Sequence, residues 1–297
     1  METYMFNKIY VEIGNICNLR CSFCPELKRE RRQMTSEEFE RVCEAIKGYT
    51  DYIYLHVMGE PLLHPELDRM LDIARSHGFR VCITTNGTLI KKNKEMLLSH
   101  SDVIHKVNIS VHAIEGNGIE ERLKGYMSEV VEFSKAASAC GIFTILRLWN
   151  LDSVDALGAN LQNELIEEIL HREFSAEWKK RWNGYMLADR IFLEFAGAFV
   201  WPVESEAEEQ RLGSCRGLLD QIAILADGAV VPCCLDSEGV ISLGNIFDSS
   251  MESILASPRA QAIKAGFLRG EMCEEMCKKC SYAHRFSNKA KRMAGEI

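Results

Sequence analysis

The chain has 297 residues, 47% apolar and 26% charged, which suits a globular protein with one barrel-sized domain and a smaller appendage. No stretch reaches the roughly 18 apolar residues of a membrane span. The opening METYMFNKIY lacks the basic and apolar regions of a secretion signal, so a cytoplasmic protein with no membrane partner is expected. A net charge of −8 disfavours a broad nucleic-acid surface.

Short strand signals alternate with helical periods from residue 7 to about 195. The first strand is expected over Lys8–Gly14, and the loop behind it carries Cys17, Cys21 and Cys24. The basic run Lys28–Arg32 then reads as a solvated loop. Thr35 and Glu38 make a capping box ahead of the apolar stripe Phe39, Val42, Cys43 and Ile46. A second strand, Tyr52–Met58, ends in Gly59-Glu60-Pro61; a helix through Leu67, Met70, Leu71 and Ala74 stops at Gly78. The third strand, Arg80–Asn86, ends in Thr84-Thr85-Asn86-Gly87, and the fourth covers Lys106–His112. A helix over Glu120–Cys140 and strands Ile142–Trp149 and Arg190–Phe195 complete this part.

Side chains alternate across a strand. In the fourth strand Val107, Ile109 and Val111 therefore form an apolar face for helices, with Asn108, Ser110 and His112 opposite. Repeated βα units with such strands predict an α/β fold, a parallel sheet closed fully or partly into a barrel around a polar reaction chamber. Beyond it the pattern changes to a β-hairpin, Gln221–Ala226 and Ala229–Cys233 about Asp227-Gly228, a helix over Met251–Leu268 and the compact CEEMCKKC. Residues 201–297 are thus expected to be a small cysteine-rich hairpin-and-helix domain, with a basic tail from His284 to Arg292. Trp178, Trp182 and Trp201 fall in the least standard segment, read as helix packing, with a role in substrate choice as the alternative.

Twelve cysteines in a reducing compartment argue for metal chemistry rather than disulfides. A structural zinc site wants four ligands, and after Cys24 the next histidine is His56. The Cys17-x3-Cys21-x2-Cys24 spacing behind a first strand, with Asn18, Leu19 and Phe23 inside it, resembles the signature of the radical S-adenosylmethionine (SAM) superfamily. That resemblance implies a 4Fe–4S cluster held by these three cysteines. Its fourth iron is left for SAM, whose reductive cleavage gives a 5′-deoxyadenosyl radical that abstracts hydrogen.

The same resemblance implies a partial (β/α)6 TIM-like barrel over residues 1–200, and several further positions match its pattern. Gly59, Glu60 and Pro61 resemble the family's GGEP turn, with Met58 in place of the first glycine, and would hold the methionyl ammonium. Asn86 stands in a TNG-like turn. Ser110 and His112 resemble contacts to the SAM ribose or carboxylate, and Arg147 could pair with that carboxylate. Cys215, Cys233, Cys277 and Cys280 resemble the twitch module, the shorter relative of the SPASM domain, and imply one auxiliary 4Fe–4S cluster. Cys234 could replace Cys233, and Cys273 is spare. Cys43, Cys82 and Cys140 read as core.

An auxiliary cluster suits an oxidation in which a base takes a proton, and Glu12 and Glu194 lie on chamber-side parities for that task. The family implies a peptide or protein substrate. The early first strand leaves no room for a leader-binding domain, which keeps a small-molecule dehydrogenase or epimerase acting on a sugar or aminocyclitol as the alternative. A non-catalytic metal-cluster module is the reading from another class. The expected electron donor is of flavodoxin or ferredoxin type.

Overall fold

A computed structural model describes residues 6–117, 123–151, 156–197, 200–202, 205, 209–213 and 215–283. The expected basic tail from His284 and the first residues of the helix expected from Glu120 lie outside these.

From the N-terminus, β1 (Lys8–Val11) is followed by an irregular cysteine-bearing loop, α1 (Ser36–Ile46) and β2 (Tyr52–Tyr54). The alternation continues with α2 (Leu67–Ser76), β3 (Arg80–Thr85), α3 (Ile90–Ser99), β4 (Ile104–Ser110), α4 (Leu123–Ala139), β5 (Phe143–Leu148) and α5 (Ala156–Glu173). Then come β6 (Lys179–Arg181), β7 (Gly184–Ala188), β8 (Ile191–Phe195), β9 (Gln221–Ile224), β10 (Ala229–Val231) and β11 (Gly244–Asn245). The described chain closes with α6 (Met251–Leu255), α7 (Pro258–Arg269) and α8 (Glu275–Lys278). No described helix is long and apolar enough to cross a membrane.

Two compact units share these elements: residues 1–16, 24–59 and 199–297 in one, 17–23 and 60–198 in the other. In the first, the strand order is β11-β10-β9-β1-β2. β1 pairs in parallel with β2, Ile9 opposite Ile53, and with β9 along its whole length, from Lys8 opposite Gln221 to Val11 opposite Ile224. The expected hairpin is present, with β10 antiparallel to β9. In the second unit the order is β3-β4-β5-β8-β7-β6; β3, β4, β5 and β8 are parallel, and β7 and β6 run antiparallel at the end.

The α/β class with parallel strands is therefore as expected, and the six expected βα strands are β1 to β5 and β8. Alternation sorts their side chains as read from the sequence. Ile83, Val107 and Ile191 share a register row with Thr144 and are buried, while Thr84, Asn108, Ile145 and Phe192 occupy the opposite row. α2 and α4 contact β3 and β5, the strands that they precede.

Cys43 and Cys82 are buried as read, but Cys140, read as core, is exposed, and four expectations about segments change. The helix over Met251–Leu268 is two helices, because Ser257 caps α7 through Ala260 N and Pro258 occupies its first turn, where a missing N–H costs nothing. The tryptophan segment is helix packing only in part, with Trp178 lying on His171 of α5. Trp182 sits at the β6–β7 turn, 97% exposed, and Trp178 stacks on His171 with ring centroids 3.7 Å apart. β2 is shorter than read, since His56 N turns back to Tyr54 O. β4 ends at Ser110, so His112 lies in the 3-10 turn that follows.

Candidate functional site

In the second unit the start of the cysteine loop is fastened to the turn after β3. Asn86 Nδ2 donates to Cys17 Sγ at 3.8 Å and to Asn18 Oδ1 at 3.1 Å. Asn18 Nδ2 donates in turn to Thr88 Oγ1, and Leu19 N–H points at Cys17 Sγ. Burial raises the Cys17 thiol pKa, with the Glu60 and Cys21 charges adding to it and the two N–H donors opposing. N–H groups aimed at sulfur support a thiolate, which needs a cationic centre at this depth to persist. Cys17 and Cys21 are half-buried, Cys24 is exposed, and no described cysteine is in a disulfide. This donor set fits an iron–sulfur cluster.

Glu60 joins the two loop turns of that unit. Its carboxylate is buried and accepts from Leu62 N at 3.0 Å, Thr85 Oγ1 at 2.7 Å and Asn86 N at 2.8 Å. Burial raises its pKa and these donors pull it back. The carboxylate thus braces the Asn86 turn, so any ammonium contact would fall to the neighbouring backbone. Pro61 opens a 3-10 turn capped by Glu60. Gly59 has φ +81° and lies against the Gly14 and Asn15 backbone, where a Cβ would come within 3.0 Å of Asn15 Cα. Gly87 has φ +78°, and a Cβ there would stand 2.8 Å from Ile109 Cγ2.

Ser110, Arg147 and Glu194 fall in one register row across β4, β5 and β8. His112 Nδ1 lies 3.0 Å from Arg147 O and 3.5 Å from Trp149 N; the shorter contact assigns the proton to Nδ1 and leaves Nε2 an acceptor. Burial, reinforced by the Arg147 charge, lowers the His112 pKa to about 4 despite the carbonyl. The Phe23 ring, from inside the cysteine motif, packs 5.0 Å from the imidazole. The Arg147 guanidinium lies 4.4 Å over the Trp149 ring. Sequence reasoning therefore placed Ser110, His112 and Arg147 in one neighbourhood, with Glu194 beside Arg147 in register. It missed Asn18, Thr85 and Tyr126, whose hydroxyl donates to Asn86 O; only the position of Asn18 inside the motif signalled any of them.

In the first unit Cys215, Cys233, Cys234, Cys277 and Cys280 converge: burial and each other's charges raise the pKa values of Cys215, Cys233 and Cys277. Cys277 lies in α8 and Cys280 just past it, Cys280 N donating to Cys277 O. Thiols that repel one another when ionised fit a set held about a cationic cluster. Among the described residues no group of three or more Cys, His, Asp or Glu is drawn in tightly enough to hold a metal ion; a cubane spreads its thiolates over its corners. Cys273 stands apart, exposed, with Sγ on Ala262 O of α7. Cys234 also packs against the apolar cluster of Tyr10, Val57, Ala223, Leu225 and Val231.

Glu12 has lost its support as a base. It is fully buried and accepts two bonds from Arg29 Nη2, at 2.8 and 2.9 Å, and one each from Met58 N and Ala226 N. With its lone pairs committed to four bonds from three donors it ties strand ends together. Lys28–Arg32 is a solvated run only in part: Lys28, Glu30 and Arg31 are exposed, while Arg29 is spent on Glu12 and Arg32 on Glu38.

Comparison with known proteins agrees with this geometry. Residues 11–154 match the family model of the radical SAM superfamily, and residues 215–281 match that of SPASM, an iron–sulfur cluster-binding domain. The antilisterial bacteriocin subtilosin biosynthesis protein AlbA of Bacillus subtilis is 27% identical over 271 residues, covering 83% of this chain and 59% of AlbA. Among solved structures, BtrN in complex with AdoMet and 2-DOIA superposes with a TM-score of 0.60 at 17% identity, covering 93% of both chains. Streptococcus suis SuiB bound to precursor peptide SuiA superposes with a TM-score of 0.54 at 16% identity, covering 94% of this chain and 72% of SuiB. At that identity the two structures speak for the fold alone.

Proposed function

From a chain that carries a radical SAM domain and, behind it, a SPASM iron–sulfur domain, we propose a peptide-modifying oxidative enzyme. Radical SAM proteins with this second domain are enzymes, and their cofactors are SAM and 4Fe–4S clusters. When bound, these supply a 5′-deoxyadenosyl radical that removes a hydrogen atom from the substrate and a second cluster that accepts an electron. Residues 1–200 serve the radical chemistry and 201–297 the auxiliary cluster.

The convergence of a second thiol set carries this reading, since an initiating cluster alone needs only Cys17, Cys21 and Cys24. Cys215, Cys233 or Cys234, Cys277 and Cys280 would hold one auxiliary cluster. Gly59, Glu60, Pro61 and Asn86 shape the turns that receive the methionyl group. Arg147 provides a fixed cation for its carboxylate, with Ser110 and the acceptor Nε2 of neutral His112 beside it. Glu194, in register with Arg147, is the remaining acidic candidate for taking the substrate proton. The peptide assignment is supported by the 27% identity to AlbA, of which this chain spans 59%. A flavodoxin- or ferredoxin-type protein supplies the electron.

The test is anaerobic reconstitution with iron and sulfide, followed by SAM and dithionite. The native chain should hold about eight irons and a Cys17/Cys21/Cys24→Ala variant about four, with 5′-deoxyadenosine formed only by the former. A pool of cysteine-containing peptides should stimulate that product and lose a hydrogen pair by mass. Zinc in place of iron overturns the radical reading. Turnover of an aminocyclitol, with the peptides inert, transfers it to small molecules.

A further inference from the structure

In the loop behind Cys24, which Asn15 also holds through Glu30 O and Arg32 N, one arginine reaches two further segments of the first unit. Arg29 Nε donates to Ser237 O at 2.6 Å while Nη2 makes both bonds to Glu12, and its side chain is only 11% exposed. The backbone repeats the attachment: Lys28 N and Arg29 N donate to the two carboxylate oxygens of Glu238, at 3.0 and 3.2 Å. Ser237 and Glu238 belong to the turn that directly follows Cys233 and Cys234. Asp236, fully buried, organises that turn by accepting from Val240 N and Ile241 N. The other acceptances of Glu12, from Met58 N beside Gly59 and from Ala226 N at the end of β9, fix the hub to the strands. The loop of the first cysteine motif is therefore fastened to the very turn that leaves the second set.

We propose that Arg29 is a positioning residue coupling the two cysteine sites. By clamping Lys28–Arg29 against Ser237–Glu238 it makes the placement of Cys24 depend on the auxiliary loop being drawn round its own cluster. This rests on the two-cluster reading above. A planar fork suits the task, because it satisfies a carboxylate and a carbonyl at once in a desolvated place, which an ammonium does not. Coupling in binding free energy is reciprocal: auxiliary occupancy strengthens retention of the cluster at Cys17/Cys21/Cys24, and occupancy there strengthens retention of the auxiliary one.

The test uses the reconstituted full chain and follows the part of the reduced-cluster EPR signal that SAM perturbs, which reports the first site, during timed exposure to an iron chelator. In Cys215→Ala, which lacks the auxiliary cluster, this signal should decay about tenfold faster than in the native chain, within the usual range of coupling factors. Arg29→Met and Glu238→Gln should each accelerate the decay with every cysteine intact, and Arg29→Lys should restore part of it. Combined with Cys215→Ala, either should add almost nothing, because the link is already cut. A merely structural weakening would instead multiply with Cys215→Ala. Multiplicative rates, or unchanged decay in Glu238→Gln, overturn the coupling. If Arg29→Met fails to fold, Glu238→Gln, which keeps the Arg29–Glu12 pair, decides alone. A native chain that holds no iron fails the two-cluster reading instead, and the iron count separates the two failures.

Discussion

Glu60 and His112 show how single buried polar groups set the site's chemistry. Each of the three donors to Glu60 comes from a turn that must keep its shape, and a carboxamide presents an N–H where one of them now finds an acceptor. Glu60→Gln should cost about 1–3 kcal/mol and weaken SAM binding, measured by urea unfolding and by titrating SAM into the reconstituted protein; unchanged SAM affinity would show that the turn keeps its shape without the carboxylate. His112 makes a pH prediction. Its folded pKa, lowered to about 4, lies below the roughly 6.5 of an unfolded histidine, so the unfolded chain takes the proton first. The stability it contributes is complete above about pH 6.5, falls as pH drops toward 4 and is level below that, a loss of about 3 kcal/mol. The difference in urea stability between the native chain and His112→Gln, followed from pH 7 to 4, isolates this slope because acid loss of clusters is common to both. Equal slopes would mean that water reaches the imidazole.

At the scale of elements, what the sequence states through local chemistry was legible. The box at Thr35 and Glu38 is closed in both directions, Glu38 N donating to Thr35 Oγ1 and Thr35 N to Glu38 Oε2. Thr35→Ala should cost about 1 kcal/mol, read as a shift of the urea midpoint, and no shift would mean that Arg32 holds Glu38 and the helix start unaided. Alternation likewise disclosed β1 to β5, β8 and the β9–β10 hairpin. Several elements were hidden, α5 and β7 among them. β6 is Lys179-Lys180-Arg181, all exposed, so it has no apolar face to show a period of two. α3 carries only Ile90 and Leu97 buried, too few for a stripe. The break between α6 and α7 turns on Ser257-Pro258, a stop and start compressed into two residues within a pattern that remains helical on both sides. At the site, cysteine spacing singled out two sets of thiols, but Glu12 misled, because strand parity tells which way a carboxylate points and nothing about the arginine that meets it.

At the scale of the whole chain, the sequence places a boundary near residue 200 because strand and helix periods give way to cysteine-rich turns there. The compact unit containing β1 and β2 nevertheless includes residues 199–297, and such a grouping leaves no local trace, since β9 meets β1 across most of the chain. β9 pairs with all of β1, and Ile222, Ile224, Leu225, Val230 and Val231 are fully buried. Burying a side chain of this size contributes roughly 1.5–3 kcal/mol, so five of them amount to about 10 kcal/mol, comparable to the roughly 5–15 kcal/mol stability of an entire domain. Removing them also leaves β1 with an unpaired edge and the Glu12 carboxylate without its Ala226 donor, and an open hydrophobic edge promotes aggregation. A chain cut after residue 200 should therefore not yield an independent radical SAM domain. Expressed anaerobically beside the full chain, it should be insoluble or melt without a cooperative transition, whereas the full chain should unfold cooperatively by circular dichroism. A soluble, cooperatively melting fragment that binds about four irons would show instead that the boundary read from sequence is also the boundary of folding, and that β9 merely docks on a finished sheet.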